Sequence, residues 1–190
     1  MNAFAPLLGL VLLVLAVFRG VGEDMRRQGH LSESTANVVA LAFLLDATLV
    51  SVAAAGNVAP ISLPHTLALI AGLPLLIGGL VMAAAASQAL RSRRRLLGIS
   101  IDAVVTTGVY GISRHPFYLG SSLALLGAAI AGRSWLALVL AAITALVLRA
   151  VARSEERVLA DRLHDAYAVY QRQTRRLLGR RSGEPSASRA

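Results

Sequence analysis

Uncharged stretches of membrane-spanning length recur along the chain: Met1 to Phe18, Ser34 to Gly56, Thr66 to Leu90, Pro116 to Gly132 and Ser134 to Leu148. Only Asp46 puts a charge inside one of them. A span needs about 20 apolar residues to cross the hydrocarbon, so the pattern predicts an all-α, polytopic membrane protein with about five transmembrane helices. The first run lacks a basic n-region and meets Arg19 without a small-residue cleavage site, and so reads as a retained span, not a secretory signal. The last two runs are short and separated only by Arg133, which predicts a tight helical hairpin with Trp135 near the interface.

Composition agrees with the pattern. Of 190 residues 56% are hydrophobic and 15% charged, and the mean hydropathy is +0.64, too apolar for an ordinary soluble domain. The absence of cysteine excludes a disulfide framework, a thiolate zinc site and a cysteine nucleophile. The net charge of +9 rests on 19 basic residues, all of them Arg. Their placement between apolar runs points to lipid headgroups and topology, not to nucleic acid. The lack of Lys suggests a compositionally biased, bacterial genome.

Arg26 and Arg27 follow the first run, Arg91, Arg93, Arg94 and Arg95 follow the third, and the C-terminal region is richer still, whereas Asn57 to His65 holds no Arg. The positive-inside rule then sets the N-terminus outside and the C-terminus in the cytoplasm, as expected of a protein of the bacterial cytoplasmic membrane. The Arg91–Arg95 cluster reads as a headgroup anchor. Residues 1–178 are expected to form one membrane unit. Residues 179–190, rich in Gly, Ser, Pro and Arg, are expected to be a disordered tail.

Two polar segments then share the cytoplasmic face. The first, Thr106 to Gly120, reads TTGVYGISRHPFYLG. Pro116 suits the first turn of a helix, and the free N–H groups there, beside Arg114 and His115, make a positive corner for a carboxylate or phosphate. Tyr110, Phe117 and Tyr118 add aromatic faces able to stack on a base or face a cation. The same residue types also populate membrane-interface belts without catalytic purpose. In the second segment Leu148, Val151, Ala152, Leu159, Leu163, Ala166 and Tyr170 form one helical stripe, with Glu155 in its middle and Glu156 at its edge. A carboxylate on a packed face is expensive unless a cation or donor meets it. For Glu156 an ordinary pair with Arg153, worth about a few tenths of a kcal/mol, suffices. For Glu155 it does not. A cationic corner, aromatic faces and a buried carboxylate together suit a zwitterionic cofactor with an aromatic base, such as S-adenosylmethionine.

Gly108, Val109 and Tyr110, followed by Arg114, His115, Pro116, Phe117, Tyr118, Leu119 and Gly120, resemble the RHPxYxG signature of the isoprenylcysteine carboxyl methyltransferase family of integral membrane methyltransferases. Glu155, Glu156 and Leu159 resemble its EExxL element, and Tyr167, Tyr170, Thr174 and Arg176 its YxxYxxxTxR ending. The resemblance covers residues 97–178. It implies a helical fold whose C-terminal half, completed by a cytoplasmic C-terminal helix, wraps S-adenosylmethionine while the acceptor approaches from the lipid. It implies cofactor contacts from Tyr110, His115, Pro116, Tyr118, Leu119, Gly120, Glu155 and Glu156, with Arg153 or Arg149 orienting the acceptor and Arg153 and Glu156 nearest the chemistry. Val109 stands where many relatives have Pro, and His164 where many have Gly.

Methyl transfer from a sulfonium is an in-line displacement, so alignment and exclusion of water are the protein's main tasks. No metal is required, and no HxxxH or carboxylate cluster offers a site for one. Two rivals stand beside this reading: an NADPH-dependent reductase of the sterol type, which resembles the chain around RHPxYxG but not in the paired glutamates, and a non-enzymatic membrane partner or transporter. Transport normally leaves several polar groups in mid-membrane, and here only Asp46 qualifies, satisfied by Thr48, Ser51 or a neighbouring helix, or else serving the acceptor. His30 and His65 read as loop residues. The acceptor itself, an isoprenyl-cysteine carboxylate, a small thiol, a phospholipid amine or another lipophilic metabolite, stays open.

Overall fold

A computed structural model describes residues 19–24, 26–27, 32–90 and 105–179. The first apolar run, the Arg91–Arg95 cluster and the tail beyond Gly179 lie outside the described residues. All named elements are helical: α1 (Glu33–Ala55), α2 (His65–Leu90), a 3-10 turn (Gly108–Gly111), α3 (Pro116–Ala131) and α4 (Trp135–Gln173). Ser32 starts α1 by accepting the Thr35 N–H at 3.3 Å, and Glu33 meets the positive end of the helix dipole. Ser134 starts α4 in the same way, accepting from Ala137 at 3.1 Å.

α1, α2 and the Trp135–Asp165 part of α4 are long and apolar enough to cross a membrane. α1 and α2 carry apolar side chains all round, and Leu41, Val52, Ile70 and Val81 are each more than half exposed. That is the surface of a helix solvated by lipid, and the chain is an integral membrane protein. At about 1.5 Å per residue, the 16 residues of α3 reach roughly 24 Å, short of the ~30 Å hydrocarbon core. The chain ahead of α3 is therefore drawn into the bundle.

α2 and α3 touch through their backbones. Gly72 and Gly79 of α2 face Gly127 and Gly120 of α3, and a Cβ on Gly120 would lie 2.7 Å from the Ala83 nitrogen and the Gly79 oxygen. Ala68 and Ala86 continue the seam on α2 at small-residue spacing. Without a hydrophobic force between helices in lipid, such close approach supplies the dispersion contact that holds them. Val50, Ala53 and Ala54 of α1, Leu125 and Ala129 of α3 and Ala137, Leu140 and Ala141 of α4 make the adjoining core.

The expected hairpin between α3 and α4 is present, turning at Gly132 and Arg133. It is stitched to the α1–α2 connection: Ile61 N–H donates to the Arg133 carbonyl at 2.7 Å, Trp135 N–H to Ala59 at 2.9 Å, and the Ser134 hydroxyl to Val58 at 2.6 Å. Asp46 is met from a neighbouring helix. The Thr144 hydroxyl of α4 donates to it at 2.6 Å, while Thr48 and Ser51 turn back to their own helix carbonyls.

Candidate active site

The three motif segments converge at the opposite end of the bundle from the hairpin. His115 occupies the N-cap of α3 with a backbone that is neither helical nor extended (φ −130°, ψ 59°) and Pro116 begins the helix, so the imidazole is held where the loop becomes helix. Glu155 and Glu156 come from α4, and Tyr167, Tyr170, Thr174 and Arg176 from its end. They reach back because α4 breaks at His164 (φ 37°, ψ −115°), re-aiming its last turns over the α3 start. A positive φ is a conformation that glycine adopts without strain and other residues rarely do.

Glu156 corrects the expectation of a solvated pair with Arg153. It is 5% exposed and receives Arg176 through Nε at 3.0 and 2.9 Å and through Nη2, Arg114 Nη1 at 3.3 Å, and His115 Nε2 at 3.2 Å. Arg153 and Arg149 are exposed on α4. The positive corner expected at the start of α3 is thus neutralised from within, since Arg114 turns toward Glu156 and away from an outside anion. Arg176 holds its proton more tightly than an ordinary arginine because of its hydrogen bonds to Glu156.

Glu155 is the more open carboxylate, with 20% of its side chain exposed. Tyr118 donates its hydroxyl to one oxygen at 2.5 Å, and the His115 ring stacks on the Tyr118 ring with centroids 5.7 Å apart and planes 8° from parallel. The other oxygen faces His115 Nδ1 at 3.6 Å, beyond hydrogen-bond distance. A proton on Nε2, donated to Glu156, leaves Nδ1 as an acceptor. Each ring nitrogen of His115 thus faces a glutamate, Nε2 within hydrogen-bond distance and Nδ1 outside it.

A polar back wall supports this corner. Tyr170 donates to the Tyr110 carbonyl at 2.7 Å, and burial, with the neighbouring Tyr167, keeps its phenol protonated well above the usual range. Burial likewise raises Tyr110, with the Glu155 charge adding to it. Tyr167, 1% exposed, is pushed up to about 12 by burial and by the charge of Glu156. Its hydroxyl lies beside the Arg114 guanidinium and the Gln171 side chain.

Of the residues expected at the site, Tyr110, His115, Tyr118, Glu155 and Glu156 come together. Pro116 is buried at the helix start. Leu119 is in the first turn, its N–H on the His115 carbonyl at 3.0 Å. Gly120 lies in the α2–α3 seam, where the lack of a side chain is required by Ala83 and Gly79. Sequence reasoning did not pair Arg114 or Arg176 with Glu156, although both stand inside the quoted motifs. Gly179, expected to open the tail, is tied to the fold: its N–H donates to the Ile112 carbonyl at 2.9 Å and its carbonyl accepts from the Arg175 N–H at 2.9 Å. Among the described residues no group of His, Asp and Glu is placed to hold a metal ion.

Among curated proteins and among solved structures nothing matches the chain. A family model described as phospholipid methyltransferase matches residues 67–166, from α2 through both glutamates of the corner. With more than half its length matched, the chain belongs to the phospholipid methyltransferase family, the group of integral membrane methyltransferases that includes the isoprenylcysteine carboxyl methyltransferases.

Proposed function

We propose that this protein transfers a methyl group from S-adenosylmethionine to a lipophilic or membrane-associated acceptor at the cytoplasmic face. The observation that carries the reading is that Glu155 Oε2 and His115 Nδ1 face each other 3.6 Å apart, without a hydrogen bond between them, beside the Tyr118 ring. An ammonium group supplies the donor that this pair lacks, and an aromatic face favours a cation. Glu155 and His115 fit the ammonium end of the amino-acid part of the cofactor. S-adenosylmethionine supplies an activated methyl group on a sulfonium.

The chain's own work is alignment. Glu155 and His115 hold the ammonium, Tyr118 fixes Glu155, and the corner's position at the end of a short α3 keeps the reacting groups at the edge of the hydrocarbon, where water is scarce. Glu156, with both oxygens occupied, holds His115 in place. Arg153, exposed two positions before Glu155, orients the acceptor. The family favours a lipid acceptor, either an amine or a carboxylate.

The test is methyl transfer from labelled S-adenosylmethionine in membranes containing the protein, followed by identification of the labelled product. A labelled lipid-soluble product that vanishes with Glu155→Gln supports the reading. Absence of any labelled product, with saturable NADPH binding, overturns it in favour of the reductase. Reporter fusions at Asn57 and at the C-terminus should read outside and cytoplasmic respectively, and the reverse would move the corner to the wrong face.

A further inference from the structure

The loop that precedes His115 has no helix of its own to satisfy it, and its partners come from the chain after α4. Arg114 N–H donates to the Arg175 carbonyl at 3.2 Å, the Ser113 hydroxyl to the Arg176 carbonyl at 3.2 Å, and Gly179 N–H to the Ile112 carbonyl at 2.9 Å. Ser113 in turn accepts from the His115 N–H at 3.2 Å. Thr174, 3% exposed and extended (φ −123°, ψ 135°), ends α4 and turns the chain into this position. Residues 174–179 thus form a strap across the three residues leading to the site histidine. The strap lies beyond the residues matched by the family model.

One side chain of the strap enters the site. Arg176 grips Glu156 with its planar fork, and Glu156 accepts from His115 Nε2 at 3.2 Å. A fork at two fixed angles pins a carboxylate in rotation as well as position, which a point charge does not. The carboxylate then selects the Nε2–H form of the imidazole and so turns Nδ1 toward Glu155. With 36% of its side chain exposed, Arg176 bonds to Glu156 and not to Glu155 or His115.

We infer that Arg176 is a positioning residue for cofactor binding, acting from the strap through Glu156 to set the tautomer and orientation of His115. The inference rests on the S-adenosylmethionine reading of the same site, and two readouts separate them. The first is titration of full-length protein in nanodiscs with S-adenosylhomocysteine, the demethylated cofactor. Wild type binds, Arg176→Ala weakens binding at least tenfold, Arg176→Lys recovers part of the loss, and Arg172→Ala, on the exposed end of α4, stays within twofold. The second is nitrogen NMR of histidine-labelled protein without ligand, with His115 assigned by its loss in His115→Ala. Its signal reports an Nε2–H ring in wild type and a changed tautomer balance in Arg176→Ala.

Weakened binding with an unchanged His115 signal makes Arg176 a direct contact and overturns the positioning role. Unchanged binding with or without a changed signal overturns it as well, while leaving the cofactor reading intact. Failure of wild type to bind overturns both. Should Arg176→Ala fail to fold, Arg176→Lys carries both measurements, and a wild-type result in it for affinity and ring signal overturns the inference.

Discussion

The α2–α3 seam and the Glu155/Glu156 corner meet on one helix and are built on opposite principles. In the seam, glycines let backbones touch, and a Cβ on Gly72 would fall 2.5 Å from the Ala131 nitrogen. Nothing polar is needed there, because helix hydrogen bonds already satisfy the backbone. At the corner six polar side chains, Arg114, His115, Tyr118, Glu155, Glu156 and Arg176, crowd together, and each is met by another. The seam fixes where α3 stands, and the corner uses that fixed position to aim His115 and Tyr118. A rigid apolar contact one turn away is what allows a polar site to be held open between Glu155 and His115.

The comparison breaks most visibly in the seam. Gly127→Val sets a branched side chain against the Leu76 backbone, and should destabilise the bundle by about 3 kcal/mol or more, since overpacking against backbone has no rotamer to escape into. Thermal unfolding in detergent and loss of monodisperse protein would report it. Wild-type stability would mean that α2 and α3 are not in backbone contact.

At the corner the two adjacent glutamates should separate. Glu156→Gln leaves Arg114 and Arg176 without their counter-charge, and should cost about 3 kcal/mol of stability, as breaking a buried pair does, less whatever solvent returns to the partly exposed Arg176. Glu155→Gln should leave the melting temperature nearly unchanged. Equal melting shifts in the two variants would erase the distinction between an internal strut and a ligand contact.

The smallest effect is the one with the unusual sign. His164 sits at φ 37°, and strain of this kind is worth about 1–3 kcal/mol. Exchange to Gly should raise stability by about 1 kcal/mol, whereas His164→Ala should not, and the same unfolding measurement compares them. Stabilisation by Ala alone would locate the effect in the side chain.

Much of this was legible in the sequence, and the failures have a common cause. Apolar runs gave the helices and their boundaries near Ala55, Leu90 and Ala131 because lipid solvation acts on each run separately. The motif spacing brought His115, Tyr118 and Glu155 to one place. Periodicity along α4, however, ranked Glu155 as the buried carboxylate and Glu156 as the surface one, since it saw only Arg153 nearby. The partners that bury Glu156, Arg114 and Arg176, lie 42 residues before it and 20 after it in the chain. The seam was written in the chain too, as Gly72 and Gly79 on one run and Gly120 and Gly127 on another, both seven residues apart. That interval becomes meaningful only when the two helices are known to be neighbours, and it shows Gly120 serving the seam within a motif otherwise devoted to the site.

The central claim, that Glu155 and His115 hold a cofactor ammonium, is tested most directly by calorimetric titration of wild type and Glu155→Gln with S-adenosylhomocysteine in nanodiscs. The account predicts saturable binding to wild type and a loss of about 1.5–3 kcal/mol in binding energy for Glu155→Gln, the range for a hydrogen bond to a charged group, with both proteins melting at the same temperature. Equal affinity in two equally stable proteins would contradict it.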